Sequence, residues 1–381
     1  MDYSFLQNFY CKITIDDHPL IPKNIKYCVI REWIFDILPR IEIAINDDGY
    51  LTEVFPIKDN SVLFIEIGVN PDDENIFGCE FNIVNKVIDE VNANKSTVIT
   101  LTGVLKTNSC FFPIKNRSFK NMNSQQVLSL ISKELGLKYN KNINLNTSDV
   151  MTWLQVNISN FDFIKHVLKR SYSNEDVLFC YADVNNQLNY TSLKSEIKKE
   201  TKIAKYSLEN YTKYSFADEN DLKTIWYKSF NIANYTNDFN RQFGYGMKGS
   251  YYDLQNNKNV VVDKNYFPLT EMSFNDNNGQ VVNKNVFPIL NNVYSDYFKA
   301  MMQNKYYKNV FGISMQLSVN ALNKINLFDI IDLQIESLLN DEKDEVQSGE
   351  YIVAGITHQL TNVYKKEISI HRNGYNKPLY L

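Results

Sequence analysis

The residues able to do chemistry are sparse and scattered in this 381-residue chain. Its four histidines are His18, His166, His358 and His371. None stands in HExxH or in a zinc-ligand spacing with cysteine. His166 lies beside the apolar stripe of a helix and His358 at a strand end, both places for packed structural imidazoles. The five cysteines, Cys11, Cys28, Cys79, Cys110 and Cys180, are far apart and form no CxxC. They read as reduced core thiols. No GxSxG elbow, phosphate-binding loop or catalytic cysteine context occurs. Carboxylates are plentiful, so paired-carboxylate hydrolysis is allowed by residue type, but no pair is singled out by its context. The acidic run 341–345 lacks the spacing of an oxygen-ligand loop and reads as a solvated hairpin tip. Residues 244–249 spell GxGxxG. A dinucleotide site would need an apolar strand before it and an apolar helix after it. NDFNRQF and SYYDLQNNKN supply neither, so a glycine-permitted tight turn is expected. Lys194, Lys198, Lys199, Lys202 and Lys205 make a basic run that Glu196 and Glu200 dilute. It reads as a solvated linker or helix face, with a docking or nucleic-acid patch as the sharper alternative. The sequence therefore assigns no catalytic, cofactor or metal residue.

The elements that would position any site are mostly strands. A chain of this length suggests two to four domains, and the apolar fraction of 44% suffices for ordinary cores. With 25 Tyr and 23 Phe against 13 Gly and 9 Pro, the composition suits β structure and large interfaces. The net charge of −4 argues against a protein held to nucleic acid by a basic surface. No 18-residue apolar stretch and no basic N-terminal leader are present, so neither a membrane helix nor a signal peptide is expected, and folding in a cytoplasm is.

Residues 1–105 predict a barrel or sandwich, with strands at 8–15, 25–34, 40–45, 62–67, 81–91 and 96–104. Ile41, Ile43 and Ile45 face inward, and residues 46–49 supply hairpin chemistry. Residues 106–204 predict an α+β insert. Ser124 opens one helix, stopped by Gly136. A second runs from Asn160 to Arg170, with Ser159 and Asp162 at capping-box spacing and Phe161, Ile164, Val167 and Leu168 as its stripe. Strands follow at 177–183 and 187–192. Residues 236–305 read as an irregular accessory domain with a helix at 290–302, and 205–235 as a segment that could complete the first barrel. Residues 306–373 predict a second β unit, closed by four strands, before a tail at 374–381. In it Ile313, Met315, Leu317 and Val319 alternate with Ser314, Gln316 and Ser318. Ile331, Leu333 and Ile335 alternate likewise. Two further strands, Tyr351–Thr357 and Lys366–Arg372, flank a polar turn. Trp33, Trp153 and Trp226 are expected to anchor cores or interfaces.

Four segments carry a resemblance. They are residues 38–68 (LPRIEIAINDDGYLTEVFPIKDNSVLFIEIG), 111–137 (FFPIKNRSFKNMNSQQVLSLISKELGL), 153–173 and 348–374. The third holds Trp153, Gln155, Ser159 and Phe163, and the fourth Gly349, Tyr351, Ile356, His358, Tyr364 and Arg372. In that order and spacing they resemble the central baseplate hub of contractile phage tails. Its fold is shared with the N-terminal part of VgrG-type spikes in type VI secretion.

The resemblance implies an α+β, mostly β fold: two tail-tube-like antiparallel β-barrels, an α+β insert and an extra domain. It implies a homotrimer, so that six similar barrels adapt a sixfold tail tube to a threefold spike. Partners would be a tail-tube or tube-initiator protein, surrounding baseplate wedge proteins and a central spike. The chain carries no OB domain and no spike repeat, so the spike is expected to be a separate polypeptide. DNA would cross the channel without specific binding, no membrane insertion is implied, and the protein would sit in the virion tail after assembly in a host cytoplasm. Ser314, Gln316 and Ser318 are the expected lumen-facing residues. The runner-up is the hub of a bacterial injection system, a tailocin or type VI-like apparatus. A carbohydrate-active tail enzyme is the alternative from another class.

Overall fold

Alternating apolar residues need a second layer to bury against, and the chain supplies it by curling sheet onto sheet. The structure, a computed structural model, describes residues 10–372 apart from 48–50, 52–53, 59, 69–76, 92–96, 109–110, 142–144, 146, 148, 172, 174–176, 198–203, 211–223, 228–230, 235–245, 254–255, 265–283, 287–310, 320–324, 338–341, 345–346 and 362–363. Among the described residues no helix is long and apolar enough to cross a membrane.

The first unit contains β1 (Tyr10–Ile15), β2 (His18–Pro19), β3 (Ile25–Trp33), β4 (Arg40–Asp47), β5 (Val62–Gly68), β6 (Phe77–Val91) and β7 (Thr97–Leu105). They lie antiparallel in the order β3-β4-β7-β6-β5-β1-β2. The expected inward residues are inward: Ile13, Ile15, Ile41, Ile43, Ile45 and Ile65 are all buried.

The insert holds β8 (Lys115–Met122), α1 (Ser124–Leu135), β9 (Lys138–Lys141), β10 (Met151–Ile158), α2 (Asn160–Arg170), β11 (Leu178–Ala182), β12 (Gln187–Ser192) and α3 (Leu193–Ile197). β8 and β10 form a ribbon, while β9 joins β12 in parallel beside β11. Leu128, Ile131, Phe163, Ile164 and Val167 share one core with the first unit. Phe161 and Leu168, expected in the α2 stripe, are only partly buried against that core, and Phe163 takes the central place. The α1 cap is Asn123, one residue before the Ser124 expected to open the helix. Its side chain accepts from the Gln126 N–H at 2.9 Å, and the Gln126 side chain accepts the Asn123 N–H at 3.0 Å. Gly136 ends the helix at φ 76°, as expected.

After the insert come β13 (Ala204–Asn210), β14 (Thr224–Tyr227) and β15 (Asn231–Asn234). Then β16 (Gly246–Asp253), β17 (Lys258–Lys264) and β18 (Lys284–Val286) form a sheet of their own. The chain closes with β19 (Ile313–Val319), β20 (Ile330–Ile335), β21 (Gly349–Leu360) and β22 (Tyr364–Arg372).

Several expectations need correction here. The strands at 204–234 complete the second unit rather than the first: β13 pairs in parallel with β20, and β15 pairs with β19. Four C-terminal strands alone do not close, because β19 and β20 each keep an open edge until β15 and β13 cover it. The resulting order is β14-β13-β20-β21-β22-β19-β15, with β14 lying against β19. The last two strands are longer than predicted, β21 running on to Leu360 and β22 starting at Tyr364. The described part of 236–305 is a regular three-stranded sheet, not irregular structure. Gly246–Gly249 lies inside β16, with Met247–Gly249 paired with Val262–Lys264 and Gly246 with Lys284, not in a tight turn. The helix expected at 290–302 and residues 48–49 of the turn expected at 46–49 fall outside the described residues, while Asn46 and Asp47 belong to β4.

The two β units are not separate bodies. β21 splits one edge between them, giving residues 349–352 to β20 and 355–360 to β3. A bulge between Val353 and Gly355 marks the change of partner. The units thus merge into one 14-stranded sheet.

Candidate functional site

The merged sheet gives the chain one long face opposite its cores. Following the register, β6-β7-β4-β3-β21-β22-β19-β15 run side by side as eight strands, four from each unit. Partners across strands share a face. Ser314, Gln316 and Ser318 therefore sit level with His371, Ser369 and Glu367 of β22. Gln316 and Ser318 are exposed and Ser314 is half-buried, while Ile313, Met315, Leu317 and Val319 on the other side are buried. Farther along, the same face carries Thr357, Gln359, Arg31, Glu42, Thr100 and Thr102. Several of its charges are matched locally. Arg31 lies 3.9 Å from Glu42, which also accepts the Tyr27 hydroxyl at 2.8 Å. The Gln359 amide donates to Glu367 at 2.9 Å. Such exposed pairs contribute little stability, but they leave the face with no strong field of either sign. One stretch is covered: Trp33, Phe35 and Phe311 pack edge-on around His371, which is buried despite its polar phase.

On the core side of the β21–β3 seam sits a second cluster that the sequence reading missed. Glu32, His358 and Lys366 are each under a tenth exposed. Glu32 Oε2 accepts the Val184 N–H at 2.9 Å, tying the insert to the seam. Its Oε1 lies 3.6 Å from His358 Nε2. His358 Nδ1 is 2.7 Å from the Tyr364 hydroxyl, and the two rings stack. Lys366 Nζ donates to the Ile325 carbonyl at 3.0 Å. Burial pushes the His358 imidazole below its ordinary value, only partly offset by Glu32. Burial also lowers the Lys366 amine to about 8, against the pull of Glu32 and Asp329. His358 is thus well inside the sheet, paired with Ile30 and Lys366, rather than at its margin. The signal was readable in principle. Glu32 shares the phase of Cys28 and Ile30, and Lys366 that of Ile368 and Ile370, so each is a charge on an apolar alternation.

The motif residues of the third segment have structural work. Trp153 is buried and its indole donates to the Met122 carbonyl at 2.8 Å. Gln155 accepts from Arg117 Nε at 2.7 Å and donates to the Ile158 carbonyl at 3.0 Å. Ser159 caps α2 by accepting the Asp162 N–H at 3.0 Å. Asp162, a methylene shorter than the usual Glu, accepts the Ser159 hydroxyl instead of reaching the backbone, so the box predicted there is half-made. Phe163 stacks on Phe119. Arg117 and Lys115 converge on Glu134 of α1, which locks the ribbon to that helix. Among the described residues no group of three His, Cys, Asp or Glu is placed to hold a metal. Cys28, Cys79 and Cys180 are buried free thiols, and Cys11 is a half-buried one.

No family model and no curated protein matches the sequence. Solved structures do match by shape. A tail protein from Neisseria meningitidis MC58 superposes with a TM-score of 0.60 at 8% identity, covering 97% of this chain and 98% of that one. The 43 kDa tail protein of prophage MuSo2 from Shewanella oneidensis gives 0.58 at 10% identity, covering 95% and 96%. The lidless PdpA-VgrG complex gives 0.52 at 12% identity, with 98% of this chain and 66% of the other. At such identities the likeness concerns the fold: this chain has the mostly β hub fold of phage tail proteins and VgrG-type spikes.

Proposed function

We propose that this chain is a structural hub of a contractile phage-tail baseplate, three copies of which close into a ring around a channel. The observation that carries the reading is the eight-stranded polar face, built as four strands from each of two units. A ring of three would then present six four-stranded panels, which lets a threefold object meet a sixfold tube. The face has two free ends among the described strands, the outer edge of β6 beyond Ile83 and the outer edge of β15. Closed cyclic symmetry requires one edge to meet the other edge of the next copy. At ~4.8 Å per strand, 24 strands give a circumference of about 115 Å and a backbone diameter of about 37 Å, enlarged by strand tilt. That leaves room for a nucleic-acid duplex inside the lining side chains.

In this reading Ser314, Gln316 and Ser318 line the channel. Hydroxyls, amides and self-paired charges would let phosphates pass without being held. The hub would seat a central spike on one side and a tail tube or its initiator on the other, with wedge proteins outside, in the virion tail. Division of the chain at about 105, 204, 236 and 306 remains the working domain scheme, with 204–234 now assigned to the second unit. The work is mechanical, with no reaction catalysed. Incubation with peptidoglycan should give no turnover, and turnover abolished by one carboxylate substitution would favour the enzyme reading.

The likeness to VgrG complexes supports a second reading, the hub of a bacterial injection system with the same architecture and another cargo. Mass measurement in solution tests the shared core of both. A particle of three 44.5-kDa chains is expected, alone or with the spike protein added. A chain that stays monomeric in both conditions overturns the ring.

A further inference from the structure

We propose that the seam between the two β units is a protonation-sensitive joint, clasped by Glu32 and loosened by proton uptake at His358 and Lys366. The joint is narrow. Six register pairs, Gly355↔Trp33 through Leu360↔Cys28, join β21 to β3, and just beyond them the Ile34 N–H donates to the Ala354 carbonyl at 3.0 Å. Behind them one carboxylate touches three parts of the chain at once. Glu32 comes from the first unit, His358 from the second, and the Val184 N–H from the insert. Removing one member leaves the others buried and uncompensated, a loss that is costly in a dry site.

The clasp suits one protonation state. With His358 neutral, the Tyr364 hydroxyl donates to Nδ1 and Nε2–H points at Glu32. A second proton on Nδ1 would make the Tyr364 hydroxyl turn from donor to acceptor and would add a positive charge near Lys366. The other titratable groups around the cluster are Asp329 beside Lys366, Cys79 on β6, and Tyr181 and Asp183 from the insert, all of which sense the charges here. Phe77 packs on the imidazole and excludes water.

The sign follows from linkage. His358 and Lys366 are bases whose protonation is disfavoured in the closed seam, so an opened, hydrated seam binds more protons. Opening is then favoured as pH falls. The Lys366 contribution builds up as pH drops from its ordinary 10.5 to about 8. The His358 contribution begins below 6.5. His371, lowered to about 4 by burial, packs on Trp33 at the same seam, and His166 adds acid sensitivity elsewhere, so the His358 and Tyr364 substitutions, read locally, are decisive.

Hydrogen exchange of the full chain from pH 5 to 9.5, corrected for intrinsic rates, supplies that readout. Protection at residues 355–360 is compared with α1 as an internal reference. In the unaltered chain the ratio should fall tenfold or more from pH 7 to 5, and rise between pH 8 and 9.5. His358→Gln should flatten the acid limb, and Lys366→Met the alkaline one. Tyr364→Phe keeps the imidazole but frees Nδ1, so its acid limb should move to higher pH even if His358→Gln folds poorly. A His358→Gln limb that follows the unaltered chain overturns the proposal. So does an unmoved limb in Tyr364→Phe, or loss of seam and α1 protection in parallel.

Discussion

At Gly355 the backbone of β21 lies against the Trp33 ring, and a Cβ there would sit 1.9 Å from Trp33 Cε3. Only a glycine leaves room for this approach, which sets how closely the two units join. Gly355→Ala must push the indole or the strand aside and should cost about 1–3 kcal/mol in denaturant unfolding. Trp33→Ala in the same chain should return part of that cost, because the two side chains compete for one space. A neutral Gly355→Ala would show that the strands separate freely there. The sequence named the inward isoleucines correctly because their alternation is local. The resemblance also named Tyr351 and Arg372, and the structure joins them: the Arg372 guanidinium lies 5.1 Å from the Tyr351 ring and Nη1 donates to the Ser348 carbonyl at 3.3 Å. Glu32 was passed over since a lone acidic residue in a strand reads as an outward one. Its partners stand more than 150 positions away.

Among the elements, the helices were the easiest to read and the parallel strands the hardest. α2 runs from Asn160 to Arg170 as its stripe and cap predicted. α1 was displaced by one residue at its start, because Asn123 and Ser124 both suit a cap and only the Gln three residues on decides between them. Asn123→Ala and Ser159→Ala should each lower stability by about 1 kcal/mol, measured by thermal or denaturant unfolding. Asn123 makes the reciprocal box, so its loss should be the larger. The ribbon-to-helix lock adds a pH signature. Burial pushes the Glu134 carboxyl up, but hydrogen bonds and charge from Arg117 and Lys115 outweigh it and hold the group at about 2. A depressed acid stabilises above its ordinary 4.5 and loses that stabilisation as pH falls toward 2. Arg117→Met should therefore lower stability at neutral pH and flatten its decline between pH 4.5 and 2. An unchanged slope would mean that the pair stays solvated. The strands β13 to β15 were misassigned for a physical reason. β13 pairs in parallel with β20 and β15 antiparallel with β19, about a hundred residues downstream, and no turn chemistry advertises either pairing across that distance.

For the whole molecule, two β units were legible in the strand pattern, but their fusion was not, since residues 28–33 meet 355–360 through register that no local signal encodes. That fusion is what makes a ring argument possible, because it leaves one ribbon with two ends. The β6 end is the more telling. Among the described residues those beyond Ile83 pair with β7 only, and Val84 and Val87 are 56% and 42% exposed on that strand. An unpaired edge invites another strand even with Lys86, Asp89 and Glu90 along it, and further charges placed there discourage pairing. Val84→Lys with Val87→Lys touches exposed positions, so the isolated chain should keep its strand content and lose no more than about 1 kcal/mol of stability. If this edge meets β15 of the next copy, the doubly substituted chain should run as a folded monomer where the unaltered chain runs as three copies. A substituted chain that still assembles would move the joint elsewhere while leaving the ring intact. An unaltered chain that never assembles would instead remove the ring, whatever the edge does.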